Sequence, residues 1–250
     1  MNRLLLFYLV FLTFAKADVL KVGVGFGIIP FVYDNERGEL VGFDIDIVNE
    51  LGKVLGYDID FVQMDFSALI PAVQSGKIDL LATAMTITKK RAEQVDFSIP
   101  YSSGPGSVIL TSIDNDDIKN IRDLKGKKVA VIVGGANADY LRDNKIGAKI
   151  VEFPSSAECH LALLNNKVDA SINPLESAKR LLSDKGRGRV KIVGKEIPVK
   201  GIGMAIRKGN EILLNKINNG IRKIIENGKR DELEKKYFSK LTEDDKKLLN

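Results

Sequence analysis

Twice along this 250-residue chain, short apolar runs rich in β-branched residues alternate with segments of helical period. The first series predicts a strand at 19–24 (VLKVGV) and a helix at 43–56, where Val48, Leu51 and Leu55 recur at three- and four-residue spacing. It continues with a strand at 57–64, a helix at 67–76 opened by Ser67 and closed by Gly76, and a strand at 77–83. The second series predicts a strand at 127–135, a helix at 136–144 and a strand at 148–153. A helix from Ser155 or Ser156 and a strand at 168–173 complete it. A β-α-β-α-β order calls for a parallel sheet, because parallel neighbours need a long return connection and a helix supplies it. Asp44 and Asp46 open the first helix, where carboxylates can cap free N–H groups and favour the helix dipole.

Two further passages join the series. YSSGPGSVILTS (101–112) is a Gly/Pro/Ser connector running into a strand, and IPVKGIGMAIRKGN (197–210) is a glycine-containing apolar passage. A helix with Leu213, Ile217, Ile221 and Ile224 in register follows, then a Lys/Glu-rich helix to about Phe238. The expected architecture is α/β and two-lobed, each lobe a mainly parallel sheet flanked by helices, with two crossing hinge segments. Residues 18–103 and 204–250 would form lobe 1, and 104–203 lobe 2. A cleft between lobes is a default ligand site, and a two-strand hinge can close it.

Residues 1–17 stand outside that pattern. One early cation, Arg3, precedes the apolar run Leu4 to Phe14 and then Ala15-Lys16-Ala17, the layout of a secretory signal peptide cleaved after Ala17. The run is too short for a bilayer core that takes ~20 residues. Cys159 is the only cysteine, so no internal disulfide forms and no acylated cysteine follows the leader. A periplasmic protein without a lipid anchor is the expectation. With 44% hydrophobic residues the core can supply the stability that disulfides do not. Net charge is +5, falling to +3 without Arg3 and Lys16, and the cations are scattered among acids. No aromatic-interleaved basic stripe appears, so nucleic acid is not an expected partner.

The stretch ATAMTITKKRAEQVDFSIPY (82–101) places Thr83, Thr86 and Thr88 ahead of Arg91. In one reading Thr88 caps a short helix and Arg91 points into water. In the other, hydroxyls, helix-start N–H groups and the guanidinium converge on an anion. GVGFG (23–27) lacks the third glycine of a dinucleotide loop, because Ile28 occupies that position. GGANAD (134–139) lacks the lysine of a phosphate loop, so its N–H groups, at Gly135 and Ala136, suggest a plainer anion contact. His160, the only histidine, adjoins Cys159 on a predicted helix, where neighbouring side chains diverge; both read as packing or surface residues. One Cys and one His cannot build a metal cluster, and no metal or cofactor is implied.

GFDIDIVNELGKVLG (42–56) and DFSALIPAVQSGKIDLLATAMTITKKRAEQVDFSIPY (65–101) resemble the polar amino-acid family of bacterial periplasmic solute-binding proteins, which feed ABC importers. LKGKKVAVIVGG, LLNNKVDASI and GIGMAIRKGN resemble its later blocks, so the likeness covers 18–240. It implies the type 2 periplasmic-binding fold, a monomer, a small carboxylate-bearing ligand such as an amino acid, and an ABC permease as partner. It also implies that Arg91 forks onto the ligand carboxylate, with Thr83, Ala84 and Thr86 lining that end and Phe66 stacking on the ligand side chain. Departures from the family pattern are Asn173, where an aspartate usually meets the ligand ammonium, and Gly135, where a hydroxyl is common. Gly25 stands where basic-side-chain binders often place an acid, and Ile28 where many have an aromatic. Cyclohexadienyl dehydratases share the broad family, so an enzyme is the alternative expectation. Glu176 is its one nearby acid, though general-acid catalysis needs a group positioned on the leaving atom. A receptor's sensing domain is disfavoured by the lack of an apolar span after 238.

Overall fold

The computed structural model describes residues 18–104, 106–198 and 201–238, so the expected leader lies outside the described residues. The first series forms β1 (Asp18–Val24), a ribbon of β2 (Tyr33–Asp34) and β3 (Leu40–Val41), α1 (Phe43–Leu55) and β4 (Tyr57–Gln63). It continues through α2 (Leu69–Ser75), β5 (Leu80–Leu81), the short α3 (Lys89–Ala92) and β6 (Val95–Phe97). The chain then crosses into β7 (Ser107–Ser112), β8 (Lys128–Ile132), α4 (Ala136–Asp143) and β9 (Lys149–Phe153). After α5 (Ser156–Leu164), β10 (Ala170–Pro174), α6 (Leu175–Ser183) and β11 (Val190–Ile197), it crosses back to β12 (Ala205–Arg207), α7 (Glu211–Glu226) and α8 (Lys229–Tyr237).

Two five-stranded sheets result, ordered β4-β1-β5-β12-β6 and β11-β7-β10-β8-β9. β1 runs parallel to β4 and β5, and β8 parallel to β9 and β10. β12 is antiparallel to both its neighbours, and so is β7. Each sheet therefore holds one reversed strand, and it is the strand that follows a crossing. The crossings also bond to each other: Tyr101 N–H donates to Ile202 O at 3.0 Å, and Ile202 N–H to Ser102 O at 2.8 Å.

Each sheet buries both faces, as parallel sheets with helical crossovers must. In lobe 1, α1, α7 and α8 cover one face through Phe43, Val48, Leu51, Ile217 and Ile221, while α2 covers the other through Leu69 and Val73. In lobe 2, β8 sends Val129 and Val131 toward α4 and Ala130 toward α5 and α6, the period-two alternation of a strand.

The start of α1 fixes the loop that carries Ile28. Phe43 and Asp44 donate their N–H groups to Pro30 O and Phe31 O, each at 3.0 Å. Gly42 makes that docking possible: its φ is 139°, and a Cβ there would run into the Phe31 carbonyl.

Local outcomes differ from expectation in four places. The 67–76 helix begins as a 3-10 turn at Phe66–Ala68, and Ser67 does not cap it. Its closure by Gly76 holds, in the left-handed conformation with φ 77°. The expected strand at 77–83 pairs only over Leu80–Leu81, because the chain turns away at Thr83–Ala84 to form the cleft wall. β6, α6 and β11 are elements that the periodicity reading did not place. The α1 start is not capped by side chains either, since Asp44 and Asp46 are engaged elsewhere.

Candidate functional site

A cavity of about 510 Å³ lies between the lobes, within the ~300–1,000 Å³ typical of small-molecule sites. Lobe 1 contributes the 26–29 loop, Phe66, Ala84, Thr86 and Arg91. Lobe 2 contributes the start of α4 at Gly135–Asn137 and the facing sides of α5 and α6.

Arg91 sits on α3, whose first turn is capped by Thr88: the hydroxyl oxygen accepts from Arg91 N–H at 3.2 Å. The cap is therefore real, yet the side chain does not go to water, being 5% exposed. Its Nη1 donates to Thr86 O at 2.8 Å, and its Nη2 reaches across the cleft to Gly134 O at 2.7 Å. The guanidinium carbon lies 5.4 Å from the Phe66 ring centroid, a cation–π distance. Five N–H donors minus these two bonds leaves enough for a forked contact to a carboxylate. Burial pushes its pKa down to about 10, opposed by Asp139, so the side chain stays charged near neutrality. Lys90 and Asp139 make a second cross-cleft contact at 2.9 Å, but it is solvent-exposed and worth little.

Ala84 lines the cavity with φ 48°, a left-handed conformation costly for a residue with a Cβ. Asp44 holds it there. The fully buried Asp44 carboxylate accepts from Ala84 N–H at 2.5 Å and from Tyr101 hydroxyl at 2.8 Å. One side chain of α1 thus ties the cleft wall to the first crossing segment. Burial raises its pKa to about 7 despite the two hydrogen bonds. The sequence placed Asp44 at a helix start; its role was hidden because both partners are 40 or more residues away.

On the lobe 2 side, Gly135 precedes α4 with no side chain to cap it. Its own N–H donates to Ile132 O at 2.9 Å and is not free for a ligand. The free donors are those of the first helical turn, beginning at Ala136 and Asn137, both on the cavity wall. They face the same space as Arg91, and a helix start carries partial positive charge. The cleft thereby combines one buried cation with uncapped N–H groups, a site for an anion of carboxylate size.

Residues 20–240 match the family described as bacterial extracellular solute-binding proteins, family 3. The chain belongs to that family. It is 33% identical over 240 residues to the L-arginine-binding protein of Pseudomonas aeruginosa, covering 91% of this chain and 90% of that one. An ancestral arginine-binding protein bound to arginine superposes with a TM-score of 0.82 at 38% identity, over 88% of this chain and 98% of the other. An ancestral amino-acid-binding protein described as a precursor of cyclohexadienyl dehydratase gives 0.78 at 34%, over 88% and 96%. These likenesses fix the two-lobed fold.

Of the positions expected in this family 3 protein's site, Ile28, Phe66, Ala84, Thr86, Arg91, Gly135 and Ala136 come together on the cavity wall. Thr83 and Asn173 are fully buried and do not reach it. Thr83 turns inward, its hydroxyl accepting from Gly25 N–H at 2.9 Å. A Cβ at Gly25 would press on the end of the Ile28 side chain and on that same hydroxyl, so a larger residue there would require both to shift. Asn173 donates from Nδ2 to Ser171 Oγ at 3.0 Å and leaves Oδ1 buried without a partner among the described residues. Its neighbour Pro174 is on the wall. Glu176 pairs with Lys179 at 3.0 Å and is off the wall.

Of the packing and surface roles expected for His160, packing holds, since it is 8% exposed; it also lines the cavity, and its Nε2 has no partner among the described residues. Only the three-dimensional arrangement of α5 against the cleft reveals this. Burial pushes its pKa down to about 4, so it is neutral under ordinary conditions. The adjacent Cys159 points into the lobe 2 core, and burial lifts its thiol to about 12, far from reactive thiolate. Among the described residues no group of three or more metal-ligating side chains occurs, and no helix is long and apolar enough to cross a membrane.

Proposed function

We propose that the protein captures a small carboxylate-bearing solute, an amino acid in the first instance, between its lobes and delivers it to an ABC importer. The buried Arg91 guanidinium carries this reading: it keeps donors to spare while facing the uncapped start of α4. The carboxylate would fork onto Arg91 and take N–H bonds from Ala136 and Asn137. Phe66, Thr86 and Ile28 would flank the rest of the ligand. Asn173, the expected ammonium partner, is buried behind the wall, so an ammonium would have to be met by other acceptors bordering the cavity. Lobe 1 would comprise 18–103 and 204–250 and lobe 2 104–203, in a monomer released to the periplasm by cleavage of the 1–17 leader.

Closure desolvates the ion pair and strengthens it, and only a ligand favouring the closed form can shift that equilibrium. The relatives' names support binding rather than catalysis. Glu176, the acid named for the enzyme alternative, pairs with Lys179 and is off the cavity wall, which also favours binding.

The test is a thermal-shift panel on refolded, ligand-stripped protein. It would hold the twenty amino acids, their deaminated analogues and prephenate. A ligand at 100 times its Kd adds ~2.7 kcal/mol of stability, a readily measured shift. A shift with one or a few amino acids is expected. A shift with prephenate alone, accompanied by its turnover, would replace the binding reading with the dehydratase one.

A further inference from the structure

Beyond the carboxylate end, the cavity has a wall of a different character. Phe26 of lobe 1 and Leu161 of lobe 2 are 52% and 49% exposed, among the few large apolar side chains open to solvent in the described residues. Single exposed hydrophobics are commonplace. Here two of them, from opposite lobes, line one cavity. Leu164 and Leu181 continue that surface along α5 and α6, Ile29 adds to it from the lobe 1 loop, and His160 offers an imidazole whose Nε2 has no partner among the described residues.

The charges bordering the cavity are distributed unevenly. Arg91 is buried, whereas Asp65, Arg180, Asp184 and Lys185 are exposed. Among the described residues, the carboxylates that line the cavity, Asp65 and Asp184, are therefore at its exposed margin and none is buried with Arg91. A basic side chain there would lose its hydration without a paired acid, a costly exchange. The Phe66 face offers no refuge, because the Arg91 guanidinium already lies against it and a second cation would be repelled.

We infer that the distal subsite formed by Phe26, Leu161 and His160 selects an uncharged, bulky apolar side chain, aromatic in size, and rejects basic side chains. This rests on the reading of the cleft as a carboxylate-solute site, and it sets the chain apart from its arginine-binding relatives. Phe26 and Leu161 would lose their exposure against the ligand as the lobes close. His160 would accept or donate one hydrogen bond, which a phenolic hydroxyl could satisfy.

Calorimetry on the ligand-stripped protein tests this with L-phenylalanine, L-tyrosine, L-leucine and 3-phenylpropanoate against L-arginine, L-lysine and L-glutamate. The variants are Phe26→Ala and Leu161→Asp, both at exposed positions that folding does not depend on, with circular dichroism as the control. The expected result is at least tenfold preference for one of the uncharged ligands over arginine and lysine. Leu161→Asp should weaken that ligand at least tenfold and narrow the gap to arginine, and Phe26→Ala should weaken it about fivefold. Arginine or lysine binding as tightly as the best uncharged ligand would overturn the selectivity while leaving the carboxylate-solute reading intact. So would affinities unchanged within twofold in both variants. Binding of none of these ligands would overturn both.

Discussion

Arg91→Met should abolish useful ligand affinity while leaving the protein folded. Truncating one partner of a buried, hydrogen-bonded charge pair costs about 2–5 kcal/mol in binding, roughly a 30-fold to several-thousand-fold loss. Part of that loss comes from the ligand carboxylate, which would stay desolvated without its cation. The folded state should suffer little. Arg91 is charged at a burial cost, shown by its pKa falling to about 10, and an apolar side chain of similar length removes that cost. Its bonds to Thr86 O and Gly134 O vanish, but Thr86 is on the wall of a cavity that water can enter, and Gly134 adjoins Gly135 on that wall. Arg91→Lys keeps the charge and loses the planar fork, so it should recover only a minor share of the affinity. Calorimetry with the ligand found by thermal shift, beside a melting curve, separates binding from stability. Wild-type affinity in Arg91→Met would remove Arg91 from the site.

Asp44 should control stability as a function of pH. Its folded pKa of about 7 lies above the ordinary 3.8, so the native state holds the proton more tightly than the unfolded chain does. The favourable contribution is complete below about pH 4 and is lost as pH rises through about 7. Its full size is roughly 4 kcal/mol, at 1.36 kcal/mol per pH unit. Buried His160 opposes this, because its pKa of about 4 lies below the ordinary 6.5 and it adds stability as pH rises across that interval. The wild-type melting temperature should therefore change little from about pH 4 to 6.5 and fall as pH passes about 7. Asp44→Asn should remove that fall and leave a rise between about pH 4 and 6.5, since an amide can accept from Ala84 N–H and donate to the Tyr101 oxygen. Asp44→Leu leaves both groups buried without partners, at about 1–3 kcal/mol each, and frees Ala84 from its left-handed conformation. It should be strongly destabilised and, if folded, bind ligand weakly. An Asp44→Asn slope identical to wild type would show that another group titrates.

The alternation of strands and helices was legible because local period alone reports it, and so was the glycine closure at Gly76. α6 was legible in principle: Leu175, Ala178 and Leu181 recur every three residues, but Pro174 at its N-cap position offers no capping side chain to mark the start. β6 and β12 are three residues each, too short for alternation to register. That Arg91 and Thr86 share one cavity wall accords with the crowding of threonines ahead of Arg91 in the sequence. Which hydroxyl faces the cavity could not be read from that run, since Thr83 and Thr86 are separated by a turn whose direction is set by Asp44, far away in sequence. His160 was invisible for a similar reason: its position on the wall depends on how α5 lies against the cleft.

The two crossings make lobe 1 a discontinuous unit wrapped around a continuous one. Its sheet has β12 at fourth position, between β5 and β6, and its core needs Ile217, Ile221 and Leu233 from α7 and α8. A chain emerging N-terminus first can therefore finish lobe 2 while lobe 1 still lacks a strand and two helices. Loop closure over more than 100 residues is entropically slow to find, so lobe 1 should mature last. Pulse-labelled hydrogen exchange during refolding should protect β8 and β10 before β5; protection of both lobes in one step would contradict that order. For a chain that the proposed 1–17 leader would send through a membrane unfolded, the delay would be useful. The half that carries Arg91 stays incomplete, and hence unable to grip a ligand, until nearly the whole chain has passed.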